Sequence, residues 1–326
     1  MTKLLGPVLI LLCTVIWGSS FVAQKLGADS FGPFTINCYR NLLAGLFLWG
    51  GVRLRERFRR RNADLIPAST SNSILGGAAS GVVLFCAMLT QQLGIERTTP
   101  GVSAFLTANY VLLVPIFGIC LGRRAGLPVW TGVALALVGT YFICLPSSDF
   151  SLFAFRFSLG SGEAWTLLCA ALFAVQIMVV DRFAPGCDML RFSMVQMFVA
   201  GLVALPFVFL PGELARTDWT AFLKGVPALL WLGVFSSGIA YTLQNFGQAR
   251  TPAALAAILM SMEGVFGVLF GWLLLGDLLT VRQLLGCALV FLATVASQLL
   301  SLRERRDDEN EQALPRPDAR DYGRDN

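Results

Sequence analysis

Two ionisable side chains, Glu263 and Arg40, lie inside apolar stretches of the chain that are long enough to cross a membrane. Glu263 comes about ten residues into the stretch Ala253–Leu275, and Arg40 comes about six residues into Phe34–Val52. A charge at this depth is costly in lipid and normally faces a cavity, a ligand or a partner charge. Glu263 is therefore predicted to contact substrate or to couple proton movement, or else to hold two helices together. Arg40 is predicted to bind substrate, to reach the membrane surface with its long side chain, or to pair with Glu263.

Further candidates are uncharged polar and aromatic side chains near the centres of other apolar stretches. They are Trp17, Ser20, Asn109, Tyr110, Gln176, Gln196 and Gln244. Such side chains either line a polar cavity or form hydrogen bonds between helices worth about 0.6 kcal/mol each. Aromatic residues near the ends of a span are often interface anchors, whereas Trp17 and Tyr110 lie deeper and suit a cavity wall. Together with Glu263 and Arg40, these residues are the predicted substrate-binding or coupling set.

The sequence lacks the residue patterns on which most enzymes depend. It has no histidine, which removes the commonest general base and the commonest metal ligand. Its eight cysteines form no C-x-x-C pair, and no G-x-x-x-x-G-K-[ST] nucleotide-binding sequence is present. Basic residues collect in short connections and at the C-terminal end, which does not suit a nucleic-acid surface. We therefore predict no enzyme activity, no cofactor, no metal site and no nucleic-acid partner.

The composition places the chain in a lipid bilayer. Of its 326 residues, 56% are hydrophobic and 14% are charged, against about 25% charged in a typical soluble protein. A helix needs about 20 apolar residues to cross the hydrocarbon core. Ten such stretches are present: Leu5–Gln24, Phe34–Val52, Ser73–Leu93, Gly101–Leu121, Pro128–Leu145, Gly160–Val180, Met189–Leu210, Gly225–Phe246, Ala253–Leu275 and Val281–Leu302. The first is too long for a signal peptide, so we predict an all-α membrane protein with ten transmembrane helices.

Lysine and arginine in the connections give the predicted orientation. With the N-terminus inside, the cytoplasmic connections carry fifteen of these residues and the outer connections carry six. Six arginines cluster in Arg53–Asn72, as a topology signal at the anionic inner leaflet or, alternatively, as a binding site for lipid or a partner. We predict a multi-pass protein of the cell inner (plasma) membrane with both termini cytoplasmic. Residues 303–326, which mix acids, bases and prolines, are predicted to form a disordered cytoplasmic tail.

The two halves of the chain repeat one another. At an offset of 156 residues, Leu11-Leu12-Cys13 matches Leu167-Leu168-Cys169. At an offset of 153, matches come in the same order for Gln91, Gly94, Arg97 and Thr98 with Gln244, Gly247, Arg250 and Thr251. We predict two five-helix units, 1–146 and 157–302. Because five is odd, the second unit is inverted in the membrane, an arrangement that places a binding site near the midplane and permits alternating access.

Three segments carry a resemblance to a known family. They are Trp17-Gly18-Ser19-Ser20-Phe21, Tyr39-Arg40-Asn41-Leu42-Leu43-Ala44, and the run from Met262 to Asp277. In these segments the chain resembles the EamA-type transporters of the drug/metabolite transporter superfamily, over about Leu5 to Leu302. The resemblance implies ten helices in two inverted five-helix repeats around a central cavity. The chain departs from the family pattern at Gly122-Arg123-Arg124 and at Gly264, and Asp277 replaces a usual glutamate.

These observations favour a secondary transporter that works by alternating access. The predicted substrate is a small metabolite or drug-like molecule, with an amino acid or related compound favoured, and efflux is the favoured direction. The predicted partners are this substrate and the lipid bilayer, with proton or ion coupling as a further possibility; the sequence carries no indication of an oligomer. The alternative is a membrane channel or a non-catalytic membrane scaffold, and saturable flux in liposomes distinguishes the transporter from these.

Overall fold

The computed structural model describes residues 2–59, 70–122, 126–144, 161–217, 220 and 222–276, together with short pieces between residues 281 and 300. Within this part of the chain all regular structure is helical. The α-helices are α1 (Thr2–Ala28), α2 (Pro33–Arg59), α3 (Thr70–Ile95), α4 (Pro100–Thr107), α5 (Tyr110–Cys120), α6 (Leu127–Cys144), α7 (Ser161–Phe183), α8 (Met189–Val208), α9 (Pro211–Arg216), α10 (Phe222–Leu230), α11 (Tyr241–Gln248), α12 (Ala253–Met260) and α13 (Met262–Phe270). Two π-helical segments, π1 (Trp231–Ala240) and π2 (Gly271–Leu275), continue α10 and α13.

Six helical stretches are long and apolar enough to cross a membrane. They are Leu4–Ala28, Thr70–Ile95, Ser161–Phe183, Met189–Val208, Phe222–Gln248 and Ala253–Leu275. Helix α2 is also long, at 27 residues, but Arg40 and its polar neighbours, together with the arginines of its last turns, make its mean hydropathy lower. Shorter apolar helices follow at Tyr110–Cys120 and Val129–Gly139. The predicted span Val281–Leu302 and the tail 303–326 lie largely or wholly outside the described residues, so the count of ten stays a prediction.

Two helical stretches are interrupted at positions that are aligned in the repeat, 153 residues apart. The first divides into α4 and α5 at Ala108 and Asn109, and the second divides into α12 and α13 at Ser261. At each break a polar side chain donates a hydrogen bond to the carbonyl three residues earlier: Asn109 Nδ2 to Leu106 (3.0 Å) and Ser261 Oγ to Ile258 (2.6 Å). Such bonds compete with the helical ladder, so a new helix begins beside each break.

The helix ends show that the two halves make reciprocal contacts. A Cβ atom added to Gly94, at the end of α3, would lie 3.1 Å from the carbonyl oxygen of Gly162, which begins α7. A Cβ atom added to Gly247, at the end of α11, would lie 3.0 Å from the carbonyl oxygen of Gly6, near the start of α1. These are the same contact at aligned positions, since Gly6 and Gly162 differ by 156 residues and Gly94 and Gly247 by 153.

The contact between α2 and α8 has the same reciprocity. Gly45 of α2 packs against the Phe198 ring, and Gly201 of α8 packs against Leu42. Gly45 is aligned with Gly201, and Leu42 with Phe198, each at an offset of 156 residues. The two helices therefore contribute equivalent residues to the interface. Small residues here let the two backbones approach closely. The α2–α8 contact therefore joins the two halves through equivalent residues of each.

The third span of each half packs on the other half. Helix α3 contacts α7 and α8, while the continuous stretch α10–π1–α11 contacts α1 and α2. The broken span α12–α13 lies against α1, and α5 lies against α7. This crossed packing brings the centres of α1, α2, α7, π1 and α13 around one space in the middle of the molecule.

Candidate functional site

A narrow cavity lies at the centre of the molecule and is lined by both halves. Its lining residues are Trp17, Ser20, Phe21, Gln24, Arg40, Gln91, Tyr110, Phe173, Gln176, Ile177, Ser236, Tyr241, Gln244, Met260 and Glu263. The α1 residues recur at spacings of three and four, so they form one face of that helix. The cavity leaves about 30 Å³ for the centres of water molecules, which is enough for about two waters. A metabolite therefore requires a wider conformation.

Arg40 contributes a buried positive charge to the cavity wall. Its side chain is 3% exposed, and its Nε and Nη2 atoms donate to Ser237 Oγ (3.0 Å) and Ser236 Oγ (2.9 Å). Among the described residues no carboxylate pairs with it, so the alternative of a bridge to Glu263 is wrong for this structure. Burial against two serines also excludes a side chain that reaches the membrane surface. The guanidinium thus faces the cavity with only neutral partners.

The serines that hold Arg40 belong to the π-helical segment π1. Long π-helical segments are rare and often occur at functional sites, because each turn carries more residues than an α-turn. In π1 the two neighbouring hydroxyl groups both reach one guanidinium, and the Ser236 carbonyl accepts a hydrogen bond from Trp17 Nε1 (3.3 Å). The Trp17 ring packs against Tyr241 with ring centroids 4.7 Å apart. Segment π1 therefore joins the positive charge to the aromatic wall.

Glu263 contributes a buried carboxyl group to another part of the wall. It lies in the first turn of α13, directly after the break at Ser261, and is 4% exposed. A helix N-terminus favours a negative charge. Glu263 and Tyr110 both line the cavity, where the Tyr110 hydroxyl and the Glu263 carboxyl group face each other closely enough to interact. Tyr110 begins α5 and is aligned with Glu263 at an offset of 153, so the two halves present these groups at equivalent places.

A network of amide side chains connects the cavity to the packing behind it. Gln244 donates to Gln176 Oε1 (3.2 Å), and Gln176 Nε2 donates to Ser80 Oγ (3.5 Å). Gln196 donates to the same hydroxyl at 2.9 Å and accepts from Asn245 at 2.8 Å. Gln196 is aligned with Arg40, and each reaches a serine on the third span of the opposite half. The network fixes the positions of the cavity-facing amides.

Seven of the nine predicted site residues line the cavity. They are Trp17, Ser20, Arg40, Tyr110, Gln176, Gln244 and Glu263. The other two, Asn109 and Gln196, do not: Asn109 bonds back to Leu106 at the break, and Gln196 lies in the amide network behind the wall. Lining residues outside the predicted set include Phe21 and Gln24, which the spacing on α1 could have indicated. Ser236 gave no such signal, because an α-helical spacing does not describe π1.

Ion pairs at the two ends of the molecule cross between the halves. At one end Arg55 of α2 forms a two-bond pair with Asp188, the residue that caps α8. Burial of Asp188 would raise the pKa of its carboxyl group, but the hydrogen bonds and charge of Arg55 outweigh burial and hold that pKa below its ordinary value. At the other end Arg216 pairs with Glu96 at 2.5 Å. These pairs tie the helix ends while the cavity lies between them.

Comparison with known proteins extends over nearly the whole chain. The EamA-like transporter family matches residues 4–145 and again residues 160–297. An uncharacterized transporter of Archaeoglobus fulgidus is 28% identical over 293 residues, covering 90% of this chain and 84% of the relative. The uncharacterized inner membrane transporter YedA of Escherichia coli K12 is 24% identical, with 86% of each chain covered.

Two further similarities concern a named transporter and a solved structure. The S-adenosylmethionine/S-adenosylhomocysteine transporter of Chlamydia muridarum is 24% identical, covering 87% of this chain and 90% of that protein. A crystal structure at 16% identity has the same fold, with a TM-score of 0.68 over 91% of this chain and 98% of that one. The double family match agrees with the reciprocal packing of the two halves. The chain belongs to the EamA-like transporter family and is a multi-pass membrane transporter built from two repeats.

Proposed function

We propose that this protein is a secondary transporter whose substrate is a small zwitterion, an amino acid or a related compound. The observation that carries the proposal is the placement of a guanidinium group and a carboxyl group on the walls of one buried cavity. Arg40 and Glu263 both line that cavity, and they do not pair with each other. A substrate with a carboxylate at one end and an ammonium group at the other complements both. Trp17 and Tyr241 supply an aromatic surface for its side chain.

The cost of burying these two ionisable groups supports a ligand role. An ion taken out of water without a counter-ion costs several kcal/mol even after the protein relaxes. Two hydrogen bonds from a charged donor to serines return about 3–6 kcal/mol, which roughly balances that cost for Arg40. Glu263 has no cationic partner among the described residues. A bound zwitterion would place a group of opposite charge beside Arg40 and another beside Glu263. Binding is therefore favoured at the two side chains that lack a counter-ion in the free protein.

A relative's substrate is chemically consistent with this proposal. The Chlamydia muridarum relative is named as a transporter of S-adenosylmethionine and S-adenosylhomocysteine, and both compounds contain the amino and carboxylate groups of an amino acid. We infer the class of substrate for this chain from its two charges, and the relative only shows that a related protein handles that class.

We also propose that ten spans form two inverted five-helix units, 1–146 and 157–302. The start of α7 lies against the end of α3, whereas the start of α1 lies against the end of α11. If α1 to α3 cross the membrane in turn, α7 starts on the side opposite to the start of α1, which supports inversion. The lysine and arginine bias supports cytoplasmic termini in an inner membrane.

These arrangements support alternating access as the mechanism that we propose. The cavity is too small for a metabolite in this conformation, and both ends of the α2, α3 and α8 group are tied by ion pairs across the halves. Rocking of one half against the other would open the cavity to one side at a time. The breaks beside Asn109 and Ser261 provide places for such bending. We propose export as the direction, with proton or ion movement as the driving force.

The test uses purified protein in liposomes and three compounds that differ only in charge. For one amino acid side chain, the panel contains the free zwitterion, its methyl ester (a cation) and its N-acetyl form (an anion). We expect saturable counterflow of the zwitterion and at least tenfold weaker competition by either single-charge form. Glu263→Gln is expected to abolish transport, while Glu163→Gln, outside the cavity, leaves it unchanged. Full transport by Glu263→Gln, or flux that rises linearly with concentration as in a channel, would contradict the proposal.

A further inference from the structure

A second cavity, the lateral groove, lies on the opposite face of α1 from the central cavity. It has a volume of about 640 Å³. Its walls come from α1, α10, π1 and the α13–π2 segment, and its residues are Ser19, Val22, Ala23, Leu26, Asp29, Ser30, Lys224, Pro227, Ala228, Trp231, Phe270 and Leu274. The α1 residues of this set recur at spacings of three and four, half a turn away from Trp17 and Ser20. Helix α1 is thus the partition between the two spaces.

The length of the lateral groove matches one leaflet of a bilayer. From Ser19 to Asp29 the chain advances ten residues, which along a helix is about 15 Å. Half of the hydrocarbon core is also about 15 Å thick. At the deep end, Trp231 Nε1 donates to Ser19 Oγ at 3.1 Å, and the indole stacks on Phe235 with centroids 4.6 Å apart. These contacts close the deep end three residues from the centre of the helical stretch Leu4–Ala28.

The chemistry of the groove changes from apolar to charged along this length. The middle is formed by side chains such as Leu26, Pro227 and Leu274, while Asp29 and Lys224 stand exposed at the shallow end. Within the described ranges, neither of these charges forms an ion pair. The neighbouring Lys25 is occupied, since its Nζ donates to the carbonyls of residues 95, 96 and 98 at 3.1–3.4 Å. The shallow end therefore offers one negative and one positive group at headgroup depth.

We propose that the lateral groove binds one zwitterionic phospholipid of the surrounding bilayer, of the phosphatidylethanolamine type. One acyl chain would lie along the apolar middle, the phosphate would meet Lys224, and the ammonium group would meet Asp29. An anionic phospholipid would satisfy Lys224 but place its charge beside Asp29. The proposal does not depend on the transported substrate, since the groove is separated from the central cavity by α1.

Trp231 makes this site measurable, because bromine atoms on a lipid chain quench a nearby indole. Purified protein in detergent is titrated with phosphatidylethanolamine brominated along its chains. The difference between the wild type and Trp231→Phe isolates the signal of Trp231. We expect quenching that saturates at about one lipid per protein and is lost in Trp231→Phe. The matched control is Trp49→Phe, which removes an exposed indole on α2 outside the groove and should leave the saturable part unchanged.

Two substitutions separate specific binding from general contact with lipid. Ala228→Phe fills the groove and is expected to raise the half-saturation concentration tenfold or more, since about two displaced methylenes account for that factor. Leu26→Glu changes an exposed groove residue and should have a similar effect if Ala228→Phe does not fold. Leu202→Phe, on the exposed surface of α8, is the control and should have no effect.

The headgroup assignment is tested with brominated phosphatidylglycerol in the same titration. We expect weaker binding of this anionic lipid to the wild type and a reversed preference in Asp29→Lys. Quenching of Trp231 that rises without saturation, or that survives both groove substitutions, would overturn the groove as a lipid site. Equal binding of the two lipids by wild type and Asp29→Lys would overturn the pairing of headgroup and charges. Neither result bears on transport through the central cavity.

Discussion

Arg40→Gln should separate transport from stability, because the free protein gains little from its buried guanidinium. The substitution places in α2 the residue that α8 carries at the aligned position, Gln196. Two hydrogen bonds from a charged donor to Ser236 and Ser237 are worth about 3–6 kcal/mol, and the burial of the charge costs several kcal/mol. These terms nearly cancel, and glutamine retains one hydrogen bond. We therefore expect the free energy of unfolding to change by less than about 2 kcal/mol.

The same substitution should remove most of the transport activity. Loss of one partner from a buried, hydrogen-bonded charge pair costs about 2–5 kcal/mol, so the apparent affinity for a zwitterion should fall roughly 30- to 5,000-fold. Counterflow in liposomes measures the affinity, and thermal unfolding in detergent measures the stability. Arg53→Gln, on the exposed part of α2 beyond the cavity, is the matched control. Wild-type transport by Arg40→Gln would refute the reasoning, and so would unfolding that accounts for the whole loss.

Three further predictions concern packing, pH and the cavity. Gly94→Ala and Gly247→Ala each place a Cβ atom within 2.6 Å of a neighbouring side chain, so each should lower stability by about 1–3 kcal/mol. Gly50→Ala in α2 meets nothing within 4 Å, so thermal unfolding should show no loss of stability and a gain of at most about 1 kcal/mol from helix propensity. Because the pKa of Asp188 is lowered in the folded state, its carboxylate stabilises the fold at pH values above the ordinary aspartate pKa. This stabilisation is lost as pH falls through the folded-state pKa. Asp188→Asn should therefore remove this loss of stability in acid, which melting curves taken across pH measure. Tyr110→Phe removes the hydroxyl that faces Glu263 in the cavity, so counterflow of the zwitterion should weaken about tenfold while the free energy of unfolding changes by less than about 1.5 kcal/mol, the net worth of one hydrogen bond.

The sequence predicted the membrane class and the repeat because both depend on patterns that are visible along the linear sequence. Apolar stretches of about 20 residues follow directly from membrane thickness. The matches of Gly94 with Gly247 and of Arg97 with Arg250 indicated the repeat, and the structure explains them: these residues make the same crossed contact in each half. What the matches did not indicate is that each glycine contacts the opposite half, since an offset within the sequence carries no information about partners.

The site was only partly predictable for a related reason. Glu263 and Arg40 were evident because charges inside apolar stretches are rare. Ser236 and Ser237 were not, since small hydroxyl residues are common in spans and π1 changes the spacing along the helix. Gln196 and Gln176 had the same signal in the sequence, and only the packing shows that α8 lies against α2 and α3 with Gln196 behind the cavity wall, while Gln176 lines the cavity itself. Periodicity gives the face of a helix but not which neighbour that face meets.

The most direct measurement is a structure of the protein with a transported amino acid bound in lipid nanodiscs. The account predicts the substrate carboxylate about 2.7–2.9 Å from the Arg40 guanidinium, with its ammonium group beside the Glu263 carboxyl and its side chain against Trp17. Bound substrate at another place, or an Arg40–Glu263 ion pair in the substrate-free transporting state, would contradict it.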